Sequence, residues 1–132
     1  MQHDERGTNL IEMALVSFLL LLMLGGVVDF GRAFNNYIII ANASREGARY
    51  ASRFPRPQDE NDIKQATKQE AADSGVALSD DDIVIENMGA SSGGWIRVTV
   101  NYDFPTIMGG VIGVGNLTLR SSTEMVVFGL DG

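Results

Sequence analysis

From Met13 to Val28 the chain carries no charge: Met-Ala-Leu-Val-Ser-Phe-Leu-Leu-Leu-Leu-Met-Leu-Gly-Gly-Val-Val. Glu12 stands at the front edge of this run, and a short polar stretch ending Arg6-Gly7 precedes it. A helix that is apolar on every side has to be surrounded by protein or by lipid. Sixteen helical residues cover roughly 24 Å. A hydrocarbon core of about 30 Å usually takes about 20 residues. Leu10 and Ile11 before the run, and Phe30 after Asp29, extend it toward that length.

The helical pattern continues beyond Val28. Phe30, Phe34, Tyr37, Ala41, Ser44 and Ala48 recur at spacings of three and four and fall on one stripe. Opposite them lie Arg32, Asn35, Asn42, Glu46 and Arg53, with Ile39 among them. This predicts a single helix from about Leu10 to about Arg53, on the order of 65 Å long. Such a length does not fit inside a small domain. Its first half is apolar all round and its second half amphipathic. Ile38, Ile39 and Ile40 interrupt the polar face, so that level is expected to be enclosed by protein on all sides. Thr8 or Asn9 is the expected N-cap. Gly25-Gly26 sits mid-helix, where each glycine costs roughly 1 kcal/mol relative to alanine. The pair fits either close helix packing in a membrane or a point where the helix stretches or bends.

The rest of the chain reads as one small α+β domain. Phe54-Pro55-Arg56-Pro57 ends the long helix, because proline disfavours helix at and before itself. A second helix is predicted from about Asp59 to Ser74, with an acidic first turn (Asp59, Glu60, Asp62) that complements the helix dipole and Gly75 as its stop. Its apolar stripe is thin: Ile63, Ala66 and Ala71. Three strands follow. Ile83 to Met88 is short, and a glycine and serine turn spans Gly89 to Gly94. Trp95 to Phe104 alternates, with Ile96, Val98, Val100, Tyr102 and Phe104 on one side. Leu117 to Phe128 is the third, with Leu117, Leu119, Ser121, Thr123, Met125 and Val127 together. Short links predict an antiparallel meander packed on the helices. The connection from Pro105 to Asn116 is apolar and glycine-rich, too apolar to lie free in water. It either packs under the sheet or touches a partner or membrane surface.

Charge is unevenly placed. Residues 1–53 carry five arginines against five acids, whereas residues 54–132 hold the whole net charge of −7. An acidic C-terminal part argues against nucleic-acid binding, which needs basic surface to neutralise phosphates. There is no cysteine, and the single histidine, His3, lies ahead of the apolar run. Disulfides, thiolate sites, histidine metal clusters and Ser-His-Asp triads are thereby excluded from the rest of the chain. Ser79-Asp80-Asp81-Asp82, even with Glu86, matches no calcium-loop spacing and reads as a solvated acidic turn. No enzyme, cofactor, metal or small-molecule substrate is expected.

The N-terminus does not read as an ordinary secretory signal, in which the cleavage site follows the apolar stretch. Here the candidate cut lies before it, between Gly7 and Thr8. Cleavage would create a positive α-amino group on Thr8 and make Glu12 the fifth residue of the new chain. A carboxylate in hydrocarbon is costly unless paired or protonated. A pair between that amine and a Glu12 would set register more than stability.

Arg6-Gly7-Thr8-Asn9-Leu10-Ile11-Glu12 resembles the type IV prepilin processing site. Gly7 to Ser52 as a whole resembles the TadE-like family of pilin-like proteins. The matching pieces are Glu12-Met13-Ala14-Leu15-Val16, the leucine run, Val28-Asp29-Phe30-Gly31-Arg32-Ala33-Phe34 and Ala43-Ser44-Arg45-Glu46-Gly47-Ala48-Arg49-Tyr50-Ala51. The resemblance implies a leader at 1–7, a long helix at 8–53 that spans the membrane in the precursor, and an acidic domain at 54–132. It implies a structural subunit of a tight-adherence (Tad, type IVb) pilus or a related adhesive fibre. A prepilin peptidase would cut between Gly7 and Thr8, Glu12 would direct assembly, and other pilin-like subunits would be the partners. Asp29, Arg32, Arg45, Glu46 and Arg49 become candidates for pairs between subunits, and Phe30, Phe34 and Tyr37 for apolar contacts. The implied location is the bacterial inner membrane for the precursor, with the C-terminal domain outside, and the pilus or cell surface after processing. Arg32, Arg45 and Arg49 beyond the span would by themselves predict the opposite orientation; the family and the cut set it instead. Met13 stands where small major pilins of the system often have tyrosine, which favours a minor or pilin-like subunit. The alternative is an uncleaved single-pass protein that binds a partner in the assembly machinery.

Overall fold

The computed structural model describes residues 5–53, 59–88 and 94–127. Helix α1 (Glu5–Arg53) has 49 residues, about 74 Å at the usual rise. It is followed by α2 (Glu60–Asp73), a 3₁₀ turn at Asp80–Asp82, β1 (Ile83–Met88), β2 (Trp95–Pro105), the short α3 (Gly109–Ile112) and β3 (Asn116–Val126). The fold is α+β, as the sequence predicts. The three strands form an antiparallel meander in the order β1-β2-β3. The expected helix end at Phe54–Pro57, the turn at 89–93 and Phe128 lie outside the described residues.

α1 departs from expectation at its start. It is already helical at Glu5, so Arg6, Gly7, Thr8 and Asn9 lie within its first turns and the expected cap at Thr8 or Asn9 is not formed. The helix runs unbroken through Gly25-Gly26.

The second half of α1 makes the main contact with the domain. Ile40, Ala43, Ser44, Ala48 and Ala51 are buried against it, with Ile39 at the margin. Small residues dominate because the elements cross closely. A Cβ on Gly47 would collide with Thr67 Oγ1 on α2 and come within 3.3 Å of Val98 Cγ1 on β2. Thr67 is itself buried, its hydroxyl donating to Ile63 O at 2.8 Å. Ile63, Thr67 and Ala71 thus make the buried stripe of α2, with Thr67 in the place expected for Ala66, which is only half-buried.

α2 stops at Gly75 as read from the sequence, whereas Asp59, read as part of the first turn, stands just ahead of the helix. Asp59 caps the start by accepting from Asn61 N. At the other end Val76 N donates to Ala71 O at 2.9 Å and Gly75 N to Ala72 O at 3.0 Å. This paired closure requires the left-handed backbone of Gly75, at φ +92°.

The inner sheet face carries Ile83, Ile96, Val98, Val100 and Phe104, all buried. Facing them on β3 are Leu119, Ser121, Thr123 and Met125, half-buried under α1. The two hydroxyls have a purpose there: Ser44 Oγ, fully buried, lies 2.8 Å from Thr123 Oγ1 and 3.4 Å from Ser121 Oγ. The outer face is polar. Arg97 bridges Glu86 on β1 and Glu124 on β3 and stacks 4.8 Å from the Trp95 ring centroid.

Candidate functional site

The N-terminal half of α1 projects with its apolar side chains bare. Leu10, Ile11, Met13, Leu15, Phe18, Leu19, Leu20, Leu21, Met23 and Leu24 are all exposed, and the helix is long and apolar enough to cross a membrane. Gly7 and Thr8 lie in its first turns, and Glu12 is exposed one turn further on.

The stripe expected from Phe30 to Ala48 splits in two. Ser44 and Ala48 turn inward to the domain. Phe30 (74% exposed), Phe34 (57%) and Tyr37 (44%) turn outward, with Ile38 beside them. The Phe30 and Phe34 rings stack at 6.5 Å. The isoleucine level is likewise divided: Ile39 and Ile40 belong to the subunit's own core, and only Ile38 faces away. The expectation that protein encloses all three does not hold within one subunit. The reason is the stripe of small residues at 43, 44, 47, 48 and 51 beside Ile40, which allows a closer fit to the domain than the aromatic stripe does.

Arg45 and Arg49 are exposed on the outward side. Arg49 Nη1 lies 3.8 Å from Glu46 Oε2, while Arg45 makes no ion pair with a described residue. The charged members of the candidate set therefore stand near the aromatic ones along one surface of α1.

Asp29 has a different setting. It is 8% exposed. Its carboxylate accepts from Ile107 N at 3.0 Å, Met108 N at 2.7 Å and Arg32 Nη1 at 3.2 Å. Arg32 in turn lies 5.0 Å over the Phe104 ring. Asp29 and Arg32 thus have partners within the subunit, where they fasten the β2–β3 loop to α1. Met108 continues the attachment: an ideal Cβ on Gly25 would come within 2.5 Å of its Cγ and Sδ, so the glycine makes room for the methionine. This docking was not legible in the sequence. The one available hint was a lone acid, Asp29, between Glu12 and Glu46 in the long helix.

The loop is also closed on itself. Thr106 Oγ1 donates to Gly115 O at 2.7 Å and to Val114 O at 3.1 Å. Gly113, at φ +80°, ends α3. Ile107, Val111, Ile112 and Val114 nonetheless remain exposed, so the loop does not pack under the sheet. In the acidic turn, Asp80 pairs with Lys68 Nζ at 2.6 Å and Asp82 accepts from Ser79 N and Oγ. These carboxylates are engaged in local structure. Among the described residues no group of three or more His, Cys, Asp or Glu could hold a metal.

The apolar projection, the Asp29-Phe30-Gly31-Arg32 level and the Arg45-Glu46-Gly47 level lie on one continuous helix. Residues 7–49 match the family of TadE-like proteins. No curated protein and no solved structure matches the chain. The TadE-like segment contains every candidate residue from Gly7 to Arg49, and it points to a protein associated with the Tad pilus. The sheet, α2 and the docked loop lie outside the matched residues.

Proposed function

We propose that this chain is a pilin-like structural subunit of a Tad (type IVb) pilus or a related fibre. It inserts in the inner membrane as a precursor with its domain outside. A prepilin peptidase trims it between Gly7 and Thr8, and it then packs with other pilin-like subunits in the fibre or at its tip, serving adhesion. The observation that carries this reading is the bare face of α1. From Leu10 to Ile38 it presents apolar and aromatic side chains that the subunit's own domain does not cover, and exposed apolar surface of that extent needs a partner or lipid. In the membrane lipid covers the first half. In a fibre the same surface is covered by neighbouring helices, with Phe30, Phe34, Tyr37 and Ile38 as contacts and Arg45, Glu46 and Arg49 as candidates for ionic pairs between subunits. Glu12 would meet the new amine of Thr8.

One observation favours the second reading, an uncleaved anchored protein that binds a partner in the assembly machinery. The Gly7–Thr8 bond lies inside the helix, so a peptidase that takes an extended strand must first unwind the opening turns. Terminal turns open at little cost, so this slows cutting rather than forbidding it. The deciding experiment is the N-terminal sequence and intact mass of protein from membrane and sheared-fibre fractions of native cells. A chain beginning at Thr8 in fibres is the expected result. A chain that keeps residues 1–7 and occurs only in membranes overturns the subunit reading.

A further inference from the structure

The β2–β3 loop is built for an apolar setting. No charged residue occurs between Asp103 and Arg120. Ile107 is 60% exposed, and Val111, Ile112 and Val114 show comparable surface. Several of its backbone groups, by contrast, have partners inside the subunit. Ile107 N and Met108 N donate to Asp29, Val111 N and Ile112 N to Met108 O, and Val114 N to Gly109 O. Thr106 Oγ1 meets the carbonyls of Val114 and Gly115. A loop in water has no need of such closure, because water serves its polar groups. A loop against hydrocarbon does need it.

Its position is set by α1. The exposed run from Leu10 to Val28 is about 28 Å long, close to the hydrocarbon thickness of about 30 Å. Asp29 therefore stands at the outer boundary of the span. The loop is fastened there, and Met108 reaches Gly25, one helical turn or about 6 Å further into the span. That depth matches the 5–10 Å, approximately, to which interfacial apolar elements enter a bilayer. Arg32, partly exposed beside Asp29, stands at the level of lipid phosphates. Resting on the proposal that α1 spans the membrane, we infer that Thr106–Gly115 is an interfacial wedge. It dips Ile107, Val111, Ile112 and Val114 into the outer leaflet and seats the domain on the bilayer surface.

The 132-residue chain has no cysteine, so single sites can be labelled cleanly. Ile112→Cys, Ser79→Cys and Leu20→Cys proteins would each carry an environment-sensitive fluorophore in phosphatidylcholine and phosphatidylglycerol vesicles. All three positions are exposed in the subunit, and the change at Ser79 gives up one hydroxyl bond to Asp82 while keeping the backbone N–H bond to the same carboxylate. The expected result is blue-shifted emission at position 112, quenching by lipids with a nitroxide near the headgroup, and iodide quenching several-fold weaker than at position 79. Iodide quenching at 112 equal to that at 79, with position 20 still quenched by lipid, overturns the wedge and leaves the span intact. A label at position 20 open to iodide overturns the span itself. Protection at 112 that disappears as protein is diluted in lipid means a second copy covers the loop, and overturns the bilayer assignment.

Discussion

The carboxylate of Asp29 accepts the backbone N–H of Met108 at 2.7 Å, although the two residues are 79 positions apart. With Ile107 N on its other oxygen, Asp29 ties the loop between two strands to the middle of a helix that projects well beyond the domain. A charged acceptor with two backbone donors is among the stronger hydrogen-bonding arrangements.

Asp29→Ala should release the loop while leaving the α1–sheet core in place. Amide hydrogen exchange at Ile107 and Met108 is expected to quicken by at least about tenfold, the usual scale for losing a hydrogen bond to a charged acceptor. Amides of Val98 and Val100 should keep their parent rates. Unchanged exchange at 107 and 108 would show that Met108 packing alone holds the loop.

Gly47→Ala should destabilise the domain even though alanine is the better helix former by about 1 kcal/mol. The new Cβ collides with Thr67 Oγ1. Thr67 is β-branched, fully buried and bonded to Ile63 O, so it cannot swing aside, and overpacking typically costs about 1–3 kcal/mol. Thr67→Ala in the same chain should recover part of the loss. A denaturant double-mutant cycle checks this, and simple additivity would sink the close-crossing argument.

Ile38→Lys and Ile39→Lys should separate two roles that adjacent residues play. Ile39 is in the subunit's own core, so lysine there should lower the melting temperature of the domain. Ile38 is exposed, so lysine there should leave melting unchanged and deplete the subunit from sheared fibres. Equal amounts of parent and Ile38→Lys in fibres would remove Ile38 from the proposed contact surface.

Glu12→Ala should insert in the membrane normally and fail to enter fibres, because the new amine at Thr8 loses its proposed carboxylate. The check is the ratio of membrane to sheared-fibre protein. A parent-like ratio rules out that role for Glu12.

The Lys68–Asp80 pair ties α2 to the 3₁₀ turn. The Lys68 ammonium, first by hydrogen bond and then by charge, holds the Asp80 carboxyl below its ordinary 3.8. A depressed carboxyl contributes stability that is complete above the unfolded value and lost as pH falls through the folded one. The parent should therefore exceed Asp80→Asn slightly in urea midpoint at neutral pH, with the gap closing in acid well below pH 3.8. The gap should also shrink with added salt, since the pair is exposed. A gap that widens in acid would contradict the assignment.

The elements themselves were open to reading from local pattern. Period-two alternation places Ile96, Val98, Val100 and Phe104 on the inner face of β2, and Gly75 closes α2, because both depend on neighbours in the chain. The uncharged run at Met13–Val28 alone dictates that part of α1 leaves the domain. What pattern could not assign is which side of α1 the domain takes. The helix has two apolar faces, one of small residues around Gly47 and one of aromatics around Phe34, and periodicity weighs side chains by hydropathy rather than by how closely a backbone can approach. Tertiary packing made that choice: α1 crosses α2 and β2 at Gly47, where a Cβ would not fit. The Asp29 anchor is still less local. Its partners are main-chain N–H groups, which every non-proline residue carries, so no side-chain pattern marks Ile107 and Met108 as the ones that meet it. Only the length of β2, the turn of the loop and the level at which the sheet rests on α1 bring them there.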